Sequence, residues 1–224
     1  MSVIGMQGEK PQPDRVQAIW RYPVKSMAGE ALGSAVVTRL GITGDRVILA
    51  VNSRGGVVTA RTHPALLGHK GTTDALGVPL VDGRSWTDRS VVADVRKIAG
   101  PQVELIHNQT AERFDVLPLL VATDGAIDAF GRDGRRLRPN LVIGGVTGLE
   151  ERTWPGRKLR IGDVIIDIDS LRGRCVMTTY DPDTLMQDRS VLRDIVDRFE
   201  GELALNCAVE QGGVIELNQK VEFA

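Results

Sequence analysis

The sequence predicts a β-rich α+β fold, with barrel-like sheets and a few short helices. Three observations lead there. Short apolar stretches, many of them β-branched, recur along the chain and end at turns rich in its 25 glycines. Strand-like segments outnumber helical ones and do not alternate strictly with them, which disfavours a doubly wound parallel sheet. Hydrophobic residues at 42% and charged residues at 25% are ordinary for a packed globular chain of 224 residues.

The elements follow in order. Residues 1–13 are aperiodic, with Gly, Gln and Pro, and read as a loose leader. Val16, Ala18 and Trp20 alternate with Gln17, Ile19 and Arg21 as an imperfect strand. Residues 35–40 and 47–51 are β-branched runs, ended by Gly41 and by Asn52-Ser53-Arg54-Gly55-Gly56. With the apolar residues 57–60 next, the stretch 47–60 predicts a hairpin with a four- or five-residue loop. Asp88 is placed to cap a helix carrying Val91, Val92, Val95, Ile98 and Ala99. Thr123 or Asp124 caps a short helix that ends near Gly131, and a stripe of Val191, Leu192, Ile195, Val196 and Phe199 stops at Gly201. Such stripes are core packing. Further strands are expected at residues 103–107, 141–143, 158–161, 164–168, 175–180, 203–209 and 214–217. A boundary within residues 95–115 divides the chain into an N-terminal domain at 14–100 and a second at 101–224, packed as one compact unit.

The 28 basic and 29 acidic residues nearly cancel, which argues against a general nucleic-acid-binding surface. Two cysteines, Cys175 and Cys207, are too few for a disulfide scaffold or a four-thiolate zinc site. The longest apolar runs, such as residues 117–122, fall far short of the ~18 residues of a membrane span, and the N-terminus has no signal-peptide core. A cytoplasmic protein without membrane attachment is expected. The common phosphate-loop, dinucleotide, nucleophile-elbow and zinc-protease motifs are absent. His63, His69 and His107 are scattered and read as structural, and Asp167 and Asp169 read as one solvated sheet face.

Three segments combine unlike features. In Tyr22-Pro23-Val24-Lys25-Ser26, a proline turn presents an ammonium and a hydroxyl, and Arg46 follows a glycine-flanked turn at residues 41–45. Cations and hydroxyls on loops hold phosphate without a phosphate loop. Arg135-Arg136-Leu137-Arg138-Pro139-Asn140 reads either as a solvated basic turn or as part of such a site. In Arg172-Gly173-Arg174-Cys175, two arginines flank a thiol, which favours its thiolate for metal binding or nucleophilic use; Cys207, in an apolar strand, reads as structural.

In this order the segments resemble the MOSC family, named for the C-terminal domain of molybdenum-cofactor sulfurase, with the β-barrel N-terminal domain that often precedes it. The matching stretches are Tyr22–Ser26, residues 41–46, residues 138–140, Leu159-Arg160-Ile161-Gly162-Asp163, and Arg174-Cys175. The resemblance implies a β-barrel fold and a pocket for the pyranopterin molybdenum cofactor. It implies Cys175 as the molybdenum ligand, with Lys25, Ser26, Arg46, Thr123, Arg138, Asn140 and Arg174 around the cofactor, chiefly its phosphate. The implied reaction is reduction of an N-hydroxylated small molecule. The alternative is a sulfur carrier or cofactor-delivery module using Cys175 as persulfide or transient ligand. A third reading is a barrel that binds another anionic metabolite or only a protein. The chain departs from the reductase pattern at Leu171-Arg172-Gly173, where a proline is common, and at Asn218-Gln219, where a Gly-Asp turn is frequent. Two cysteines cannot hold an iron–sulfur cluster, no pyridoxal-phosphate domain is expected, and electrons are expected from a separate donor protein.

Overall fold

The computed structural model describes residues 13–224, so the expected leader lies outside the described residues except for Pro13. The elements in chain order are β1 (Arg15–Arg21), β2 (Glu30–Leu32), β3 (Ser34–Thr38), β4 (Gly41–Ile42), β5 (Ile48–Val51), β6 (Val57–Val58), β7 (Gly71–Thr73), β8 (Pro79–Val81), β9 (Arg84–Ser85), α1 (Arg89–Ala99) and β10 (Glu104–His107). Then come β11 (Leu119–Thr123), α2 (Asp124–Phe130), β12 (Leu141–Gly144), β13 (Lys158–Ile161), β14 (Val164–Gly173), α3 (Ser190–Phe199), β15 (Glu202–Gln211), β16 (Gly213–Glu216) and β17 (Glu222–Phe223). The fold is β-rich, as expected, with three helices set around a large mixed sheet.

That sheet has eight strands in the order β17-β13-β14-β15-β11-β12-β1-β2. All its pairs are antiparallel except β11 with β12. Its core face buries Val16, Ile19, Val121, Leu141, Ile143, Ile161, Ile166, Ile168, Leu205 and Cys207. A second core, with Ile48, Ala50, Leu66, Val81, Val91 and Val95, lies under α1, and a third joins α2 to α3 through Phe130, Ile195 and Phe199. The first and last parts of the chain interlock. β1 pairs with β12 and β3 with β16, while β10, just past the expected boundary at residue 100, pairs with β5. No helix among the described residues is long and apolar enough to cross a membrane.

Local chemistry accounts for several elements. The hairpin is present, with Ala50 opposite Val58, Val51 opposite Val57 and residues 52–56 between. Asp88 caps α1 by accepting from Ser90 N at 2.8 Å, and Thr123 caps α2 by accepting from Ala126 N at 3.2 Å. In β1 the alternation is imperfect because the register slips between Val16 and Ala18; beyond that bulge Ile19, rather than Ala18 or Trp20, enters the core. The expected strand at residues 175–180 is instead a 3₁₀ turn, Val176–Thr179. There the Thr178 hydroxyl donates to Cys175 O at 2.9 Å and the Thr179 hydroxyl to Val176 O at 2.6 Å, so these carbonyls are satisfied locally and no ladder forms. β14 runs on to Gly173, past the expected end at residue 168.

Candidate functional site: a cationic cavity with one thiol

The segment after β1 is laced to the turn before β5. Tyr22 N donates to Asp45 Oδ1 at 2.8 Å, Arg46 N to Tyr22 O at 2.7 Å, and Lys25 N to Ile48 O at 2.9 Å. Gly41 and Gly44 take the positive φ that this turn requires. Three non-glycine residues do so as well: Ser26 at 71°, Arg46 at 53°, and Arg138 at 56° where it ends the 3₁₀ turn Gly134–Leu137. Left-handed backbone costs an L-residue free energy and persists only where its surroundings determine it. All three residues line one cavity of about 110 Å³.

Lys25, Ser26, Arg46, Arg138, Asn140, Arg174 and Cys175 all line that cavity, although up to 150 positions separate them. Thr123 does not. Its hydroxyl accepts from Ala126 N and donates to Glu151 Oε2 at 2.8 Å, so it is spent on the helix cap and on a buried carboxylate. Asn140 lines the cavity as a brace: its Oδ1 accepts from Leu120 N at 3.1 Å and Arg46 Nη1 at 3.2 Å, and its Nδ2 donates to Trp20 O at 3.3 Å. It aims Arg46 as much as it offers a contact of its own.

The cavity is strongly cationic. Lys25, Arg46, Arg61, Arg136, Arg138, Arg172 and Arg174 line it, against one carboxylate, Asp115. Arg46 is paired from beneath by Asp45, and Arg136 is paired with Asp181 at 2.9 Å. Asp115 serves Lys25, Arg61 and Arg172 together. Seven cations against three carboxylates leave about four uncompensated charges.

Among the described residues, Arg138 and Arg174 have no carboxylate partner. Arg138 Nη2 donates to Met27 O at 2.7 Å, and its guanidinium lies 4.3 Å from the centre of the Tyr22 ring. Arg174 Nη2 donates to Leu137 O at 2.7 Å, and its Nε is buried with no acceptor among the described residues. Burial, reinforced by neighbouring arginines, lowers both guanidiniums to about 10. Such a pair is costly to leave uncompensated and is eased by an anion.

Arg61, Asp115 and Arg136 escaped the sequence reading. Arg61 follows a hairpin with nothing to distinguish it from a solvated arginine, and Asp115 sits in an irregular stretch 90 positions from Lys25. Arg136 belongs to the basic turn 135–140, in which the family resemblance marks only Arg138 and Asn140. Arg135, in the same turn, points elsewhere, forking to Asp133 and Asp183. Among the described residues no group of His, Cys, Asp and Glu has metal-holding geometry. Asp169 is exposed and Asp167 half-buried, both outside the cavity.

The two thiols differ sharply. Cys207 is fully buried in β15, and burial pushes its thiol well above the ordinary range. Cys175 is partly exposed in the cavity, close enough to Arg61, Arg172 and Arg174 to act on all three guanidiniums. Alkylation of cofactor-free protein at neutral pH is therefore expected to modify Cys175 at least about tenfold faster than Cys207. Peptide mapping reads this directly, and faster loss of Cys207 contradicts it.

Tyr22, beneath Arg138, gives a second expectation. Its hydroxyl donates to Pro139 O at 3.1 Å, and burial raises it from 10.0 to about 12 against the pull of Arg138 and Arg46. A group raised on folding contributes stability that is complete below its unfolded value and is lost as pH climbs through the folded one. The stability advantage of wild type over Tyr22→Phe is thus expected to hold below pH 10 and shrink by roughly 2 kcal/mol by pH 12. Denaturant titrations of both proteins across that window measure it; a constant difference contradicts it.

Comparison with known families bears on this geometry. The MOSC N-terminal beta barrel domain matches residues 14–114, and the MOSC domain matches residues 126–222. The chain belongs to the MOSC family. Its N-terminal match reaches past β10, in keeping with the pairing of β10 with β5. "Mitochondrial amidoxime reducing component 2" of Macaca fascicularis is 27% identical over 84% of this chain and 73% of its own length. "Mitochondrial amidoxime-reducing component 1" of Homo sapiens is 26% identical over 80% and 69%. Among solved structures, the YuaD protein from Bacillus subtilis superposes with a TM-score of 0.53 at 12% identity, covering 96% of this chain and 97% of its own; it shows the shared fold.

Proposed function

We propose that the cavity binds the pyranopterin molybdenum cofactor and that this MOSC protein is an oxidoreductase for N-hydroxylated small molecules. One observation carries the reading. A single thiol shares a cavity with two half-buried guanidiniums, Arg138 and Arg174, that have no carboxylate partner among the described residues, and the buried Arg174 Nε has no acceptor there. A phosphate group answers the guanidiniums with charge-assisted hydrogen bonds, and a thiolate is a ligand for a soft metal. The residues present therefore fit the cofactor at both ends.

In this reading Cys175 would hold molybdenum, while Lys25, Ser26, Arg46, Arg138 and Arg174 would hold the cofactor phosphate. Arg61 and Arg172 would stabilise negative charge beside the sulfur. The bound cofactor supplies the two-electron chemistry. Overall, an N-hydroxylated substrate takes two electrons and two protons, its N–O bond breaks, and amine and water leave. Cys207 is sealed inside the sheet, so this chain has no thiols to spare for an iron–sulfur cluster, and a separate donor protein delivers the electrons. The amidoxime-reducing names of the relatives agree with this substrate class. A cytoplasmic location belongs to the same proposal, although those relatives are named for the mitochondrion.

The test is reduction of an amidoxime by molybdenum-loaded protein with an artificial electron donor. Turnover that vanishes in Cys175→Ser supports the proposal; equal turnover without molybdenum contradicts it. A sulfur carrier uses the same exposed thiol differently, showing no turnover but one transferable sulfur atom on Cys175.

A further inference from the structure

Asp115 is the sole carboxylate among the described residues that line the cavity, and it is already engaged. Its Oδ1 lies 2.7 Å from Lys25 Nζ, and its Oδ2 lies 2.5 Å from Arg61 Nη2 and 3.3 Å from Arg172 Nη2. Lys25 Nζ also donates to Arg113 O at 2.7 Å, which leaves one of its three protons free. These three cations line the cavity with Cys175, yet an internal carboxylate holds all of them.

The segment is short, held before Asp115 by Arg113 and after it by the buried Leu119 that opens β11. Arg113 is buried and donates to Asp45 O, Thr110 O and Leu40 O at 2.9–3.0 Å. Beyond it Asp115 lies outside any helix or strand, next to Val116, which is 53% exposed. It also lies in the interval between the two family matches, which end at residue 114 and resume at residue 126. Asp115 is thus tethered to the cavity by its own ion pairs, on a short stretch that starts from a fixed point.

We propose that Asp115 is an internal competitor for the cavity, holding Lys25, Arg61 and Arg172 until the anionic group of a ligand displaces it. The ligand class is a tetrahedral dianion of the phosphate-monoester kind. A dianion resting on Ser26, Arg46 and Arg138 outbids a single carboxylate for Lys25 and so frees Arg61 and Arg172 to face the sulfur, whereas a monoanion gains little from the exchange. Against the upward push of burial, Lys25 and Arg61 hold the Asp115 carboxyl at about 2, so at neutral pH the competitor is charged and only displacement frees the cations. This rests on the anion-binding half of the proposed function and not on the identity of the metal.

The experiment titrates sulfate calorimetrically into the cofactor-free full chain at pH 7 and low ionic strength. It compares wild type, Asp115→Asn, Lys25→Met and the double variant, with melting curves to establish folding. Asp115→Asn is expected to bind sulfate about tenfold tighter than wild type. Lys25→Met is expected to cost less than about threefold in wild type but about tenfold in the Asp115→Asn background, because only there does the lysine face the ligand alone. Equal or weaker binding by folded Asp115→Asn overturns the proposal and makes Asp115 a scaffold for the cations. If Asp115→Asn does not fold, Asp115→Ser replaces it with the same expectations. Absence of sulfate binding in every variant overturns the anion site itself, whereas normal binding in a protein that never takes up molybdenum leaves this proposal standing and removes only the cofactor.

Discussion

Replacing Arg138 by alanine is expected to weaken retention of the proposed cofactor's phosphate by roughly 1.5–3 kcal/mol, the scale of a hydrogen bond to a charged group. That is about ten- to a hundredfold in affinity. Arg138→Lys is expected to recover only part of this, since lysine keeps the charge but loses the planar fork and its stacking on Tyr22. The effect on folding differs in kind. Removing Arg138 strips Met27 O of its donor and Tyr22 of a cation, but it also removes a half-buried guanidinium that has no carboxylate partner among the described residues and repels Arg46 and Arg174. These terms oppose one another, so the melting temperature of the cofactor-free variant is expected to stay within a few degrees of wild type. Paired measurement of occupancy and melting separates the two roles. Unfolding of the variant with normal occupancy in the folded fraction makes Arg138 a structural residue.

The largest loss of stability is expected away from the cavity, at Glu151. Its side chain is buried, with Oε2 accepting from Thr123 N at 3.1 Å and Thr123 Oγ1 at 2.8 Å and Oε1 accepting from Ala204 N at 2.9 Å. One carboxylate thus ties the 3₁₀ turn Glu150–Thr153 to the end of β11, the cap of α2 and β15. Glu151→Ala leaves three donors without an acceptor where water does not reach. At about 1–3 kcal/mol for each stranded group, with some relaxation, the expected cost is roughly 3–5 kcal/mol. Against a total of ~5–15 kcal/mol, that is enough to unfold much of the protein on mild warming. Glu151→Gln, which keeps an acceptor, is expected to lose distinctly less. Denaturation midpoints of the two variants test this, and a loss below about 1 kcal/mol for Glu151→Ala contradicts it.

The pair Thr123 and Glu151 also shows where sequence reading succeeds and where it stops. Thr123 was legible as a cap because capping is local: a threonine before an apolar stripe, three residues from the amide it accepts. Its place among cofactor contacts came from resemblance alone, and the structure gives the hydroxyl other work. Lys25, Arg46, Arg138 and Cys175 were legible because each stands in a loop punctuated by proline or glycine, where a cation or thiol has no packing reason to be. Arg61 and Asp115 carry no such mark. Their role arises only when folding brings together positions 54 and 90 residues apart.

The same limit explains the missed elements. β11 lies between two strands of the large sheet and is buried along most of its length, so its residues show no alternation for sequence to register. Residues 175–180 look like a strand by composition, but their threonine hydroxyls close a turn on the preceding carbonyls instead. That turn leaves Cys175 in the lining of the cavity, just past the end of β14 at Gly173.

The most direct test is the molybdenum and pterin content of protein purified gently from a host that makes the cofactor, for wild type, Cys175→Ser and Arg138→Ala. Metal analysis counts molybdenum, and fluorescence of the oxidised pterin counts the organic part. Wild type is expected to carry both in equal amounts, Cys175→Ser to lose molybdenum, and Arg138→Ala to lose both while remaining folded. Wild-type protein free of molybdenum and pterin, or Cys175→Ser with undiminished molybdenum, contradicts the account.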